Sequence, residues 1–352
     1  MTGRDRFVKA LQGAQRDRPP FPSLFFPIHS ETLRRWHRDG MPRDVHPIQH
    51  FQLDRIELIP VTTGPVPHYE RARLEDAEEW KLGVERDIKS QVDPEIAVAE
   101  EEFPIQTVGD WNRFSSLLNP ESPSRYPRFW TDYARHEKDR DYPLGISLGG
   151  LVGWLLEWMG RITLSKILSS DPAFLCRILE ELVDFQIRVW TRALTDIEAD
   201  FAIIWEGTVY RAQLLLDSPE LKETLRNQYR RLNDFLEEKG IRVRIVHFHG
   251  RADGFGDLWW DAGWTAFAPL TAGAADPFEL RKRYGDTLGL IGGLDRRLLG
   301  ASKREMRELV RWAKILWEEI HCLPAPDGPL LADIPYENFR DWLSAFRREL
   351  SQ

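Results

Sequence analysis

Residues 200–206 (DFAIIWE), 217–240 (DSPELKETLRNQYRRLNDFLEEKG) and 243–250 (VRIVHFHG) decide the fold that this sequence predicts. The first and third segments are short apolar runs of strand length. The segment between them repeats apolar residues at helical spacing, begins at a Ser-Pro pair suited to a helix start and ends at a glycine. Short apolar strands joined by an amphipathic helix predict a parallel βαβ unit.

Outward from this unit, the same alternation continues in both directions along the chain. The remaining predicted strands cover residues 20–28, 53–61, 142–148, 264–268, 287–291 and 330–331. The remaining predicted helices cover residues 3–13, 30–36, 107–117, 171–195, 276–284, 302–320 and 336–350, and a helix turn covers residues 257–262. We therefore predict a single-domain (β/α)8 TIM barrel over residues 1–352.

Two features qualify this prediction. Residues 64–112 are charged and break the alternation, and we expect them to form an antiparallel excursion after strand 2. An open doubly wound sheet is the alternative α/β fold. No G-x-G-x-x-G segment opens a helix after a strand, so the dinucleotide-binding fingerprint of that fold is missing.

Composition limits the class of protein. The net charge of -8 disfavours a nucleic-acid partner, which normally requires a basic surface. No apolar run approaches the roughly 20 residues of a membrane span, and the N-terminus lacks the apolar core of a signal peptide. We expect a cytoplasmic protein. Its two cysteines, Cys176 in a helix and Cys322 in a linker before Pro324, are expected to be structural thiols in a reducing compartment.

Polar residues at strand ends are the candidate functional groups, because barrel enzymes build their sites there. His247 and His249 are two apart on a strand, so both imidazoles are expected on the same side. With Glu206 they would form a His₂-Glu metal site with open positions for substrate. The alternative is that His247 is a buried, hydrogen-bonded histidine and His249 a loop residue.

Two strand-end carboxylates have open roles. Glu206 follows an apolar run, so its pKa is expected to be raised, which suits an acid or base. A salt bridge to Arg211 is the alternative. Asp295 follows two glycines, which often border a ligand. Capping of the next helix is the alternative for Asp295. Asp327 is a further candidate at a strand end.

Several motifs resemble the uroporphyrinogen decarboxylase superfamily. Residues 11–20 (LQGAQRDRPP) resemble the opening segment of its members. Residues 246–250 (VHFHG) occupy the place of a strand that ends in His-x-Cys-Gly or His-Ser-Asp-Gly. Residues 292–299 (GGLDRRLL) and 333–339 (DIPYENF) are similar to an uncharacterised branch. The resemblance covers most of the chain, and its later part carries the most specific motifs.

The resemblance implies a TIM barrel with a deep cleft at the carboxyl ends of its strands. Members of the superfamily decarboxylate the acetate groups of a tetrapyrrole without a cofactor, or transfer methyl groups between a corrinoid protein and an acceptor. The methyltransferases hold zinc with a His-x-Cys pair and a later cysteine. The methyltransferase pattern fits this chain at His247, whereas His249 stands where the cysteine is expected.

Other departures concern the decarboxylases. Residues 25–30 (FFPIHS) replace their arginine-rich loop, and residues 60–64 (PVTTG) lack their aspartate. Without these arginines, several buried carboxylates of a porphyrinogen would have no partner, which is energetically costly. Against the nearest branch, Glu206-Gly207 replaces Glu-Asp and Asp327-Gly328 replaces Asp-His. Uroporphyrinogen is therefore a poor substrate candidate.

We therefore expect an enzyme of methyl transfer in a corrinoid-dependent demethylation system. Its expected catalytic residues are Glu206, His247 and Asp327, and its expected substrate-binding residues are Arg211, Asp295, Arg296, Tyr336 and Asn338. A divalent metal, zinc first, is expected on His247, His249 and Glu206, with no other cofactor. The expected partners are a small-molecule substrate, a corrinoid protein and a second copy in a homodimer. The alternatives are a cofactor-free decarboxylase and a non-catalytic ligand-binding barrel.

Overall fold

A parallel sheet forms the centre of the protein. The computed structural model describes residues 1–13, 17–65 and 103–350. Its seven strands are all parallel and follow one another in chain order across the sheet. They are β1 (Glu57–Leu58), β2 (Leu144–Gly149), β3 (Phe201–Gly207), β4 (Val243–Phe248), β5 (Ala266–Leu270), β6 (Gly289–Leu294) and β7 (Cys322–Pro326). The predicted parallel α/β fold is confirmed.

Helices lie between successive strands along the chain, because parallel neighbours need a crossover connection. They are α1 (Gly3–Leu11), α2 (Ser30–Arg38), α3 (Pro47–His50), α4 (Val108–Ser115), α5 (Trp130–His136), α6 (Val152–Ser170), α7 (Pro172–Asp196), α8 (Pro219–Glu238), α9 (Phe255–Asp261), α10 (Pro277–Tyr284), α11 (Lys303–Glu318) and α12 (Tyr336–Leu350). None of these described helices is both long and apolar enough to cross a membrane.

Local signals set several helix starts. The side chains of Asp171, Ser218, Asp276 and Ser302 each accept a hydrogen bond from a backbone amide in the first turn of the following helix. Short polar side chains do this readily because the first amides of a helix have no partner within it. The predicted starts of these four helices are confirmed.

The predicted first strand is wrong. Residues 20–28 contain a short 3-10 helix, Ser23–Phe25, and two isolated parallel bridges. Pro22 bridges to Asp54, just before β1, while Ile28 bridges to Leu330, just after β7. The prolines of this segment cannot donate to a sheet, which explains why continuous pairing does not form. The segment nevertheless contacts the chain at both edges of the sheet.

The predicted positions of two other strands also need correction. The last strand is residues 322–326 rather than 330–331, so Cys322 lies in β7 and not in a linker. Proline is tolerated there because β7 is an edge strand of the sheet. The second predicted strand shrinks to Glu57–Leu58. Most of the predicted antiparallel excursion, residues 66–102, lies outside the described residues.

Candidate active site

His247, His249 and Trp205 form a cluster of rings at the carboxyl ends of β3 and β4. Trp205 pairs in register with His247, and the two ring centroids lie 4.3 Å apart. The His247 and His249 rings are 4.8 Å apart and nearly perpendicular. Phe248 points the opposite way and packs on Trp259 of α9. Because side chains alternate along a strand, the two imidazoles face away from the helix layer, on the inner side of the sheet.

Both histidines are neutral near pH 7. His247 is buried, and burial together with the neighbouring His249 keeps its pKa well below the ordinary value. Burial, with a contribution from the positive charge of Arg296, lowers the pKa of His249 to about 4. Each neutral ring has one N–H donor and one nitrogen lone pair. The pair can therefore donate to a ligand, accept a proton or bind a metal ion.

Glu206 belongs to β3, and its fully buried side chain points from the strand towards the helices. Its Oε1 accepts a hydrogen bond from the Leu151 amide at 3.2 Å, and its Oε2 accepts one from the Gly153 amide at 2.7 Å. Leu151 precedes α6 and has an apolar side chain that cannot cap it. Glu206 therefore supplies the missing acceptor at this helix start, where the helix dipole also favours negative charge.

Burial raises the pKa of Glu206 to about 7, although the hydrogen bonds from the Gly153 and Leu151 amides oppose the shift. The sequence predicted the raised pKa. The alternative partner, Arg211, is instead placed 5.9 Å from the centre of the Tyr210 ring.

The predicted metal ligands lie in two places. The imidazoles of His247 and His249 are together, whereas the Glu206 carboxylate is turned towards the start of α6. Within the described residues, no group of three or more histidine, cysteine, aspartate or glutamate side chains is positioned to hold a metal ion. The described residues therefore do not bring Glu206 to the histidine pair, and metal binding by His247 and His249 stays a prediction.

Asp327 directly follows β7, and Arg296 begins the 3-10 helix Arg296–Gly300 that comes after β6. The Asp327 carboxylate accepts hydrogen bonds from the backbone amides of Arg296 and Ala272, each at 3.1 Å. Burial raises its pKa despite these bonds. The half-buried Arg296 side chain lies against Gly328, with Nε 3.5 Å from the position of an added Cβ. Both side chains thus lie at the carboxyl ends of the strands, as predicted.

The other predicted substrate-binding residues have structural contacts. Asp295 caps the 3-10 helix Arg296–Gly300 and binds the Arg297 guanidinium at 2.7 and 2.9 Å. The Tyr336 hydroxyl lies 2.8 Å from His50 Nε2, in an aromatic cluster beneath α12. The Asn338 amide donates to the carbonyls of Leu299 and Ala301. The substrate-binding role of Asp295, Tyr336 and Asn338 stays a prediction.

Two aromatic residues of the site were not predicted. Half-buried Trp205 donates from Nε1 to the Ser147 hydroxyl at 2.8 Å, which fixes its ring beside His247. Exposed Tyr210 covers Gly250, where an added Cβ would lie 2.9 Å from the ring. Strand alternation gave a signal for Trp205, because it directly precedes Glu206 and must face the opposite side. No comparable signal marks Tyr210.

Comparison with known proteins extends the fold assignment. The chain is similar to the methyltransferase from Methanosarcina mazei, with a TM-score of 0.56 over 99% of each chain. The two share the fold. Their sequence identity is 15%, which is too low for the likeness to carry activity or site residues across. No family model matches this chain, and no curated protein matches it.

Proposed function

We propose that this protein is a methyltransferase whose active site lies at the carboxyl ends of its strands, around His247, His249 and Asp327. The observation that carries the proposal is the pair of neutral imidazoles on the inner side of the sheet, one of them buried (His247) and the other half-buried (His249). The full-length likeness to a methyltransferase supports it at the level of fold. In this proposal the enzyme belongs to a corrinoid-dependent demethylation system, and a corrinoid protein is the partner that accepts the methyl group.

The residues at these strand ends can supply the proton that demethylation requires. Removing a methyl group from oxygen, nitrogen or sulfur leaves a heteroatom that must take up a proton. Asp327 is the candidate donor because it is a carboxyl group among these residues whose pKa burial raises above the ordinary value. The imidazoles orient the heteroatom through their N–H groups. Glu206 acts indirectly, because it fixes the start of α6 behind β3.

Several finer assignments belong to this proposal. The bridges of Pro22 and Ile28 to opposite edges support a closed barrel in which residues 20–28 take the eighth position. The sequence motifs support descent from the uroporphyrinogen decarboxylase superfamily. We propose a cytoplasmic location, a homodimer and a divalent metal, zinc first, on His247 and His249.

A cofactor-free decarboxylase is the second candidate. The observation that favours it is Arg296, a half-buried cation at the same edge that suits a carboxylated substrate. Such an enzyme would release carbon dioxide and leave cobalamin unchanged. A non-catalytic barrel would bind a ligand and do neither.

The test combines cobalamin methylation with metal content. Purified protein is incubated with cob(I)alamin and a panel of methyl ethers, thioethers and methylamines, each with and without a carboxylate group, and methylcobalamin (by absorbance) and carbon dioxide are measured. We expect methylation by the wild type and at least about a 100-fold loss in His247→Ala/His249→Ala, the scale for removing hydrogen-bond donors that hold the reacting atom. His136→Ala, at an exposed histidine, is the control. Carbon dioxide release without methylation would refute the proposal.

Metal content separates the ligand role of the histidines from their other roles. Plasma mass spectrometry on tag-free protein is expected to find about one divalent ion per chain in the wild type and the His136→Ala control, as a single-metal site requires. The double variant should lose it. Equal content in all three samples would remove the metal from the proposal and leave the imidazoles as hydrogen-bonding groups.

A further inference from the structure

A groove between two neighbouring helices of the outer layer lies apart from the candidate active site. All of its lining residues belong to α11 and α12, and it encloses about 440 Å³. Its floor is apolar, because Met306 and Val310 of α11 and Trp342 of α12 are buried there, with half-buried Ala345 beside them. None of the residues that line the groove was placed at the strand ends.

A row of basic side chains borders this groove along α11. Lys303, Arg307 and Arg311 follow one another at intervals of four residues, and Lys314 comes three residues later, so all four share one face of the helix. At a rise of about 1.5 Å per residue, the row is about 16 Å long. Arg348 of α12 adds another positive charge. The groove is therefore a basic surface on a protein whose net charge is -8.

The chain does not neutralise most of this row. Among the described residues, the exposed side chains of Lys303, Arg307 and Arg311 form no ion pair and no hydrogen bond. By contrast, Arg304 of the same helix, which does not line the groove, pairs with Glu308 at 3.1 Å. Exposed cations are solvated at little cost, so the row by itself marks no site. Its position along an apolar floor is what distinguishes it.

The acidic residues that line the groove are engaged on their own helix. Asp341 pairs with Arg340 at 3.1 Å, and Glu349 lies 3.8 Å from Arg348. All four residues belong to α12. The acids of the opposite wall therefore leave the basic row on α11 available to an acidic partner.

The combination of an apolar floor and one basic border matches an acidic amphipathic helix. Such a helix lays apolar side chains, repeated every three to four residues, into a groove on its partner. Acidic side chains along its flank would then meet the row on α11, which gives electrostatic complementarity. The length of the row corresponds to about three turns of such a helix.

Two other occupants match the groove less well. Nucleic acid binds mainly through its phosphates, so it would leave the apolar floor unused and would bring phosphates beside Asp341 and Glu349. A second copy of this chain, docked through the same groove, would set the basic row against itself, because a two-fold contact uses one patch on both subunits. Like charges would then face each other.

We infer that the groove between α11 and α12 docks an acidic amphipathic helix of a partner protein. The apolar side of that helix packs on Met306, Val310 and Trp342, and its acidic flank faces the row on α11. The inference goes beyond the proposed methyl transfer and does not depend on it, because the groove shares no residue with the candidate active site.

The test measures peptide binding to the purified full-length protein by fluorescence anisotropy. The probe is a fluorescein-labelled peptide of about 15 residues, made of leucine, glutamate and alanine, with leucine at helical spacing and glutamate along the flank. We expect the wild type to bind it at least about tenfold more tightly than a shuffled peptide of the same composition, which lacks a continuous apolar face. Added salt should weaken the binding. Equal binding of both peptides, or none, would overturn the inference.

Variants assign the binding to the groove. Arg307→Gln/Arg311→Gln should weaken the amphipathic peptide by about 3- to 30-fold, the scale for two exposed charge pairs. Ala345→Glu should weaken it by at least about tenfold, because it places a negative charge against the acidic helix. The matched control is Arg135→Gln/Arg304→Gln, which removes two exposed arginines outside the groove. Equal weakening by the two arginine pairs would indicate a general charge effect and overturn the assignment.

Two further measurements decide against the other occupants. Labelled single-stranded DNA is titrated in the same assay, and DNA binding tighter than that of the peptide, lost in Arg307→Gln/Arg311→Gln, would overturn the inference in favour of nucleic acid. Light scattering gives the oligomeric state. A wild-type dimer that Ala345→Glu converts into monomers would assign the groove to a second copy and overturn the partner helix. We expect neither result.

Discussion

Burial shifts the pKa values of Glu206 and His249 in opposite directions, because it disfavours the charged form of each group. For the carboxyl, the folded-state pKa is raised to about 7 from an ordinary value of 4.5. For the imidazole, it is lowered to about 4 from 6.5. Glu206 therefore makes the fold less stable as pH rises from about 4.5 to 7. His249 makes it more stable as pH rises from about 4 to 6.5.

The variant Glu206→Gln isolates the first effect. The folded chain holds the Glu206 proton more tightly than the unfolded chain does. The free energy of unfolding should therefore fall by up to about 3 kcal/mol relative to Glu206→Gln as pH rises from 4.5 to above 7. Urea denaturation of both proteins across this range measures the difference. Exposed Glu238→Gln is the control and should track the wild type at every pH. A difference independent of pH would contradict the raised pKa.

The contact of α6 with β3 depends at the element scale on the absence of a side chain at Gly153. An added Cβ there would lie 2.5 Å from the Trp205 carbonyl oxygen and 2.9 Å from the Glu206 Cα. Real Cβ atoms do not approach backbone so closely, so a larger residue must push the helix from the strand. The same close approach lets the Gly153 amide reach Glu206. The packing of α6 on β3 and the capping of α6 by Glu206 therefore both depend on Gly153.

Gly153→Ala should lower the free energy of unfolding by about 1–3 kcal/mol, the usual range for overpacking at a tight contact. It should also reduce activity through the displaced β3, which carries Trp205. Gly109→Ala in α4 is the control, because an added Cβ there meets the Thr107 hydroxyl at an ordinary 3.6 Å. That change should be neutral or slightly stabilising. Chemical denaturation measures both variants, and equal stability of the two would refute the close contact.

The N-terminal segment ties the two edges of the sheet together at the scale of the whole molecule. Asp54 binds the Arg18 guanidinium with both oxygens and accepts the Phe21 amide at 2.7 Å. On the opposite edge, Thr32 of α2 donates its hydroxyl hydrogen to the Leu330 carbonyl at 2.7 Å. These polar bonds replace the continuous strand that the prolines prevent. They also cover edges that would otherwise be open to pairing with another chain.

Asp54→Ala should therefore lower the free energy of unfolding by about 2–3 kcal/mol, since it leaves a charged and a backbone donor without their acceptor. Its matched control is Glu57→Ala, which breaks an ion pair with Arg55 on the surface and should cost less than about 1 kcal/mol. Thermal unfolding and light scattering of the two variants measure stability and association. A loss in Asp54→Ala no larger than the control would mean that these bonds do not hold the segment.

Sequence alone located most helices and strands because their signals are local. Apolar spacing gave α7, α8 and β4, and caps such as Ser218 gave helix starts to within a residue. The first strand failed because the prolines at 19, 20, 22 and 27 were weighed less than the apolar residues among them. The last strand failed because its pairing with β6 is a long-range contact, without a periodic signal in five residues.

At the site, the sequence by itself predicted that the imidazoles of His247 and His249 lie on the same side, because side chains alternate with a period of two along extended backbone, and the backbone of His249 continues from the end of β4. It also determined that Glu206 ends a buried strand. Only the tertiary structure decided what Glu206 faces, since its partners Leu151 and Gly153 are more than fifty residues away. The same holds for Arg296. Its position beside Asp327 is set by three loops that meet only after the chain has folded, because the Arg296 and Ala272 amides both donate to that carboxylate.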